Sequence, residues 1–297
     1  MMLNYTKARR GSKMPWLSRG TDLGQVIGFG KDVPRRYNFG VLSMKICVLG
    51  SGSGGNSTLV TGGGTAVLVD AGLSYRRVKG ELAELGVEPQ QIAAILITHE
   101  HADHCSEASS LALQLGCPIY GTGGTLDSLS LYLSGREELR PFKMGEELGI
   151  GDLSVKSFPV FHDAVEPCGY LIGDGKRFVG LATDLGIVTP AVLEGLAKCD
   201  AVILEANHDL EMLRNGPYTW ELKQRIRSEV GHLSNESCGE ALAALARRGR
   251  LKKTLLTHLS QQNNRPELAL ETVQGYLNGQ IEVLLTWQDH RSELIEL

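Results

Sequence analysis

From Met44 onward, short apolar runs alternate with longer amphipathic stretches, and most apolar runs stop at a glycine or a polar residue. Short unbroken apolar runs read as buried strands, and apolar positions three and four apart read as helices. The pattern predicts strands at 45–50, 58–60 and 66–72, then an amphipathic helix over 74–85 that Gly86 closes. A strand at 92–97 follows, then helices over 106–115 and 125–133 on either side of a short strand at 118–121. Further strands fall at 153–160, 169–172 and 177–182. The second half repeats this grammar with helix 190–197, strand 201–205, helices 218–229 and 236–248, strand 253–258, helix 266–277 and strand 281–285. Connections are short and no fixed-period repeat is present, which predicts one α/β domain over residues 44–297 built on two sheets.

Residues 1–43 break the pattern. They carry eight basic and two acidic residues, leaving 22 basic and 32 acidic for the remainder. No apolar core of a secretory signal is present and no helical or strand period holds. The segment is expected to be a disordered basic extension, or an upstream start before Met44. A transit peptide and a basic nucleic-acid-binding arm are the sharper alternatives. No apolar run reaches the length of a membrane span. The six cysteines, Cys47, Cys105, Cys117, Cys168, Cys199 and Cys238, form no Cys-x-x-Cys pair, which fits reduced thiols in a cytoplasmic protein. Cys105 also sits beside His104, where a metal-adjacent thiol and a small buried residue are both open.

One strand end concentrates chemistry. Thr98-His99-Glu100-His101-Ala102-Asp103-His104 directly follows the apolar run Ile92-Ala93-Ala94-Ile95-Leu96-Ile97. Residues i and i+2 of an extended backbone face the same side, so His99 and His101 converge on one ion. Asp103 and His104 come after the chain turns and can face a second. Neutral nitrogen and hard oxygen donors in this mixture suit zinc, manganese or iron. Two ions need further ligands, each delivered by a strand end. His162, Asp184 and His258 all follow apolar runs in that way. Any one of them alone would read as a surface residue; the joint pattern reverses that.

The glycine-rich loop from Gly50 to Ser57 lacks the Gly-Lys-Ser/Thr ending of a nucleotide-binding loop and leads into a strand, so a nucleotide cradle is rejected. Asn56 and Ser57 remain candidates to donate hydrogen bonds to a substrate anion, with a plain turn as the alternative. Glu205-Ala206-Asn207 ends another apolar run, and Gly231-His232-Leu233-Ser234-Asn235 precedes a helix. His232 is either a functional imidazole or a backbone-bonded residue beside a helix cap. His208 is either a phosphate contact or a polar loop residue, and His290 reads as surface.

The order and rough spacing of these motifs resemble those of the metallo-β-lactamase superfamily. The resemblance implies a four-layer αββα sandwich with the site at one edge of its two sheets. It also implies that His99, His101 and His162 bind one divalent metal ion, that Asp103, His104 and His258 bind a second, and that Asp184 bridges them. Two dications held about 3.5 to 4 Å apart repel, and a shared carboxylate offsets that repulsion. Glu205 with His232 resembles the phosphodiesterase branch, in which the glutamate orients a histidine that protonates the departing oxygen, a step worth about 10² to 10⁴ in rate. Together with Thr257-His258-Leu259-Ser260, Asn263-Asn264 and Pro266, the motifs resemble the YycJ/WalJ (VicX-like) family of bacterial DNA exonucleases. One departure is Glu107, where many relatives of that family have glycine.

The resemblance implies a 5′-directed DNA exonuclease with a metal-bridging hydroxide, and Asp103, Glu205 and His232 as its catalytic residues. A hydrolase of small or cyclic phosphodiesters would use the same residues. A regulatory protein that keeps the fold without turnover is the non-enzymatic alternative, and a lactamase or thioesterase has no need of Glu205 and His232. The acidic balance argues against broad electrostatic binding of nucleic acid. Local basic clusters occur at Arg76, Arg77 and Lys79, at Arg225 and Arg227, and over 247–253.

Overall fold

The computed structural model describes residues 43–297. The basic extension expected over 1–43 lies outside them, apart from Ser43. Strands β1 (Lys45–Gly50), β2 (Ser57–Gly62) and β3 (Thr65–Val69) form an antiparallel meander. Helix α1 (Tyr75–Leu85) begins at Ser74, whose hydroxyl accepts from the Arg77 N–H, and ends at Gly86 in the left-handed conformation. It crosses to β4 (Ile92–Leu96), which pairs parallel with β3. Then come α2 (Ala102–Cys105), α3 (Ala108–Leu115), β5 (Ile119–Thr122), α4 (Gly123–Ser130) and β6 (Leu139–Phe142).

The second half runs β7 (Glu147–Ile150), β8 (Leu153–Pro159), β9 (Cys168–Gly173), β10 (Phe178–Ala182), α5 (Pro190–Leu196) and β11 (Ala201–Glu205). It continues through α6 (Leu210–Asn215), α7 (Trp220–Ile226), α8 (Asn235–Ala246), β12 (Lys253–Thr257), α9 (Pro266–Leu277), β13 (Glu282–Leu285) and β14 (Ile295–Glu296). One seven-stranded sheet has the order β14-β1-β2-β3-β4-β5-β6, and the other β13-β12-β11-β10-β9-β8-β7.

Side-chain alternation along these strands separates three apolar layers. Cys47, Leu49, Leu68 and Ile95 point outward to pack with Val78 and Leu82 of α1 and Leu111 of α3. Ile46, Val48, Val67 and Leu96 point inward and meet Val155, Tyr170, Val179, Ile203 and Leu255 of the other sheet. Val202, Leu204 and Leu256 face outward on that second sheet and pack with Val192 of α5, Leu242 of α8 and Val273 of α9. The result is the expected αββα sandwich. The Tyr170 hydroxyl donates to the Ile97 carbonyl at 2.6 Å, tying the second sheet to the first where β4 ends.

Several elements differ from the pattern. The helix predicted over 106–115 begins at Ala108, and a separate short helix, α2, precedes it; between the two the chain turns at Ser106 and Glu107, where the Glu107 N–H donates to the Ala71 carbonyl. Its φ of −105° is open to any L residue, so this turn has no need of glycine. Strands β6 and β7 and the two-residue β14 went unpredicted. All three sit at sheet edges, where short strands carry charge or proline in place of an apolar run. Helix α6 was also unpredicted: Asp209 accepts from the Met212 N–H at 2.7 Å as its cap. Ser234 likewise caps α8 by accepting from the Ser237 N–H.

Candidate metal centre

The ends of β4, β8, β10, β11 and β12 point to one edge of the sandwich, where open α/β sheets place their sites. Each delivers a residue there: His99 and His101 after β4, His162 after β8, Asp184 after β10, Glu205 at the end of β11, and His258 directly after β12. Helix α2 adds Asp103 and His104. The chain turns sharply at two of these strand ends and at the end of β3. Asp70 after β3, Asp184 and His258 all adopt positive φ, at 66°, 54° and 56°. Among the described residues only one other non-glycine does so, Asn278 at a helix end. Left-handed backbone outside glycine is uncommon, and here it marks the points where strands are bent toward a common centre. Gly72 makes a second tight approach possible: a Cβ there would lie 1.8 Å from the Asp103 carbonyl oxygen.

The donor atoms converge at this edge. His99, His101 and His162 form one group whose ligand atoms lie within 4.8 Å of one another, and Asp103, His104 and His258 form another. Asp184 joins a group with His99 and His104, one residue from each set. Its Oδ2 is 2.8 Å from His104 Nε2, and its Oδ1 is 3.2 Å from His258 Nδ1.

Each imidazole is held in one tautomer by a bond on its far side. His104 Nδ1 donates to Asp70 at 2.8 Å. His99 Nδ1 donates to the Thr98 hydroxyl at 3.0 Å, and that hydroxyl donates on to Asp70 at 2.9 Å. His162 Nδ1 donates to the Gly231 carbonyl at 3.1 Å. His258 Nδ1 donates to Glu205 at 2.9 Å. Each bond leaves Nε2 as the inward-facing donor atom, and a bonded second nitrogen is the usual condition of a metal-binding histidine. His101 is turned the other way: Nε2 donates to the Asp163 carbonyl at 3.3 Å, and Nδ1 faces His162 Nε2. His99 Nε2 and His258 Nε2 are buried without any hydrogen-bond partner. Buried polar atoms of this kind are rare unless a ligand satisfies them, and the surrounding nitrogen and carboxylate donors fit divalent metal ions.

Electrostatics agree with that fit. Burial disfavours charge on Asp184, yet His258 and His104 more than offset it and hold its carboxyl well below the usual carboxylate range. Burial likewise opposes charge on His104, but Asp184 and Asp70 hold its protonated form well above the usual histidine range. The anionic field that stabilises imidazolium among these donors also suits a dication.

Glu205 and His232 stand beside this cluster. Glu205 Oε1 accepts from His232 Nδ1 at 2.7 Å and from His258 Nδ1 at 2.9 Å. Its Oε2 accepts from the Leu185 and Leu233 N–H groups. A carboxylate has about four acceptor sites, and these four donors use them. Glu205 therefore acts through the two imidazoles even though its oxygen lies near enough to join a donor group. Burial raises its pKa, but His232 and His258 hold it down at about 2. Burial lowers the pKa of His232, and Glu205 reverses that, favouring imidazolium.

The remaining candidates fall elsewhere. Asn56 is turned inward: its Oδ1 accepts from the Gly52 N–H, its Nδ2 lies 3.0 Å from His104 Nε2, and its backbone N–H donates to the Asp103 carbonyl. Ser57 is 1% exposed. Both were candidates to donate to a substrate anion, with a plain turn as the alternative; burial gives Asn56 a bracing position under α2 and leaves Ser57 in the core. His208 is buried too, on a bridge to Ser234, with Nδ1 unpartnered. Cys105 donates to the Glu100 carbonyl, and burial pushes its thiol up to about 11, so it is a small buried residue. His290 is exposed beside Asp289. Of the basic clusters, 247–253 leads into the start of β12, the end of the sheet opposite His258. Arg77 is engaged by the Leu49 and Gln288 carbonyls. Arg225 lies at the site, where it donates twice to Asp163.

Sequence reasoning missed Asp70, Thr98, Asn207 and Asp163. Asp70 carried the same signal as the others, a carboxylate closing an apolar strand. Asn207 donates to the His258 carbonyl at 2.9 Å and so fixes a bent strand end.

Two sheets with helices outside them and imidazole and carboxylate donors along one shared edge constitute the metallo-β-lactamase fold. The family model of the β-lactamase superfamily domain matches residues 65–259. The exodeoxyribonuclease WalJ of Streptococcus pneumoniae is 42% identical over 241 residues, 80% of this chain and 89% of the relative. The exodeoxyribonuclease YycJ of Bacillus anthracis is 36% identical over 239 residues, 80% of this chain and 90% of the relative. The metallo-β-lactamase fold protein YhfI from Bacillus subtilis superimposes with a TM-score of 0.68 at 18% identity, covering 86% of this chain and 100% of that one. This chain belongs to the β-lactamase superfamily and, within it, to the family of the WalJ and YycJ proteins.

Proposed function

We propose that the chain is a metal-dependent phosphodiesterase that degrades DNA, an exonuclease directed from the 5′ end. The observation that carries this reading is the 2.7 Å contact of Glu205 with His232 at the rim of the cluster. The exodeoxyribonuclease names of its relatives support DNA as the substrate. His99, His101 and His162 would hold one divalent ion, Asp103, His104 and His258 a second, with Asp184 shared. Zinc, manganese and iron all suit these donors. When bound, such ions supply Lewis-acid polarisation of the phosphoryl group and hydroxide near neutral pH.

The chain's own residues do the rest. Asp103, near His104 and His258, orients the nucleophile on the cluster's open side. Glu205 holds His232 through Nδ1, leaving Nε2 to carry a proton toward the departing oxygen. An alkoxide is a poor leaving group, so that proton matters for a phosphodiester far more than for a lactam or thioester. Six unpaired, buried thiols support a reducing cytoplasm, and among the described residues no helix is long and apolar enough to cross a membrane.

The test is hydrolysis of end-labelled DNA by metal-reconstituted protein, with His232→Ala compared against Asp184→Ala. Loss of activity in both, with bound metal retained only in His232→Ala, is expected. Full activity in His232→Ala would overturn the general-acid assignment.

A further inference from the structure

A cavity of about 230 Å³ lies between α7 and the loop from β12 into α9, and His232 and His258 are part of its lining. Tyr218, Leu222 and Arg225 form one wall, and Gln261 and Gln262 another. We propose that this cavity receives the terminal nucleotide of a DNA strand on the leaving-group side of the scissile bond, with the Tyr218 ring as the platform for its base. The inference rests on the phosphodiesterase reading and deepens it.

Three features carry it. The first is size: at about 230 Å³ the cavity is near the small end of the roughly 300 to 1,000 Å³ of small-molecule pockets, room for one nucleoside and not for a run of strand. The second is composition. Tyr218 with Leu222 offers flat apolar surface to a base face, and stacking of this kind tolerates any base. The amides of Gln261 and Gln262 each present donors and an acceptor, so they can meet either pattern of base edge. Arg225 directs two N–H bonds to Asp163 and has further donors for a phosphate. The third is position beside His232.

Position, taken with the 5′-directed reading in which P–O3′ is the bond that breaks, accounts for direction. In hydrolysis, a water oxygen bonds to phosphorus, the P–O3′ bond breaks with its electron pair on O3′, and the His232 proton goes to that oxygen. The nucleoside bearing O3′ lies on the 5′ side of the scissile phosphate. Space for one nucleotide beside His232 therefore releases one nucleotide at a time from a 5′ end.

The test uses the full metal-loaded chain and a single-stranded oligonucleotide bearing 2-aminopurine at its 5′ end and a phosphorothioate at the first linkage. Binding is expected to quench the terminal fluorophore, and Tyr218→Ala to remove most of that quench and weaken binding at least about fivefold. The same label at the fifth nucleotide should not respond to the substitution. Leu222→Trp, which fills the cavity, should lower mononucleotide release from unmodified DNA relative to bis(p-nitrophenyl) phosphate hydrolysis by about tenfold or more. Should that variant fail to fold, Gln261→Ala with Tyr218→Ala, at an exposed and a half-buried site, gives the same ratio. Unchanged quench and unchanged product length in Tyr218→Ala overturn the assignment. DNA hydrolysis to mixed lengths without terminal quench sinks the cavity alone, whereas hydrolysis of neither substrate sinks the phosphodiesterase reading beneath it.

Discussion

The two halves of the sandwich build their shares of the centre in opposite ways. The first half places His99, His101, Asp103 and His104 on one strand end and one helical turn, braced by Asp70, Thr98 and Asn56. The second half contributes His162 after β8 and Asp184, Glu205 and His258 singly from the ends of three parallel strands, with His232 from a loop. A contiguous turn holds its geometry locally. Separate strand ends hold theirs only when the sheet is assembled, and in the second half one carboxylate, Glu205, carries that burden for two imidazoles.

The sharpest way to break this contrast is Glu205→Ala. It strands two imidazole and two backbone N–H groups in a buried site and removes a buried anion beside charged partners. Unfolding by denaturant should register a loss of about 3 to 5 kcal/mol, with hydrolysis abolished. Similar stability in Glu205→Ala and wild-type protein would contradict the idea that the second half depends on it. His232→Ala should lower kcat by about 10² to 10⁴ while bound metal and melting temperature stay near wild type, which separates proton delivery from assembly. On the first half, Asp70→Asn keeps the shape but weakens the acceptor behind His104 and Thr98. Metal competition titrations should read an affinity about 10- to 100-fold weaker.

A further effect, confined to acidic pH, lies outside the cluster. Burial holds the His208 imidazole down at about 4, from an ordinary 6.5. Between those values the unfolded chain binds a proton that the folded chain refuses, so stability should fall as pH drops from about 6.5 to about 4 and then level off. His208→Gln should flatten that part of a melting-temperature profile for metal-loaded protein. An unchanged profile would mean that His208 finds a proton-accepting partner in solution.

The same contrast explains what could be read from the chain. The turn from His99 to His104 was legible because strand and helix periods are local, and His162, Asp184 and His258 because each closes an apolar run. Asp70 obeyed that rule and was overlooked among stronger motifs. Asn56, Ser57 and His208 were misplaced because burial depends on what packs above a loop. Asn56 lies under α2, which belongs to a later part of the chain. Helix α6 is short and capped by Asp209, a signal recognisable only with the tertiary setting in hand. Edge strands β6, β7 and β14 gain their conformation from a neighbour, so their own residues announce little.

The left-handed turns at Asp70, Asp184 and His258 imply a conflict between durability and chemistry. Glycine adopts that backbone freely, so each of these positions could be relaxed by the residue that abolishes its donor. Asp184→Gly, compared with Asp184→Ala, should be the more heat-resistant of two equally inert proteins. A search for robust variants scored on melting alone would drift toward such replacements and return a well-folded but inactive sandwich, whereas one scored on turnover would retain all three bends.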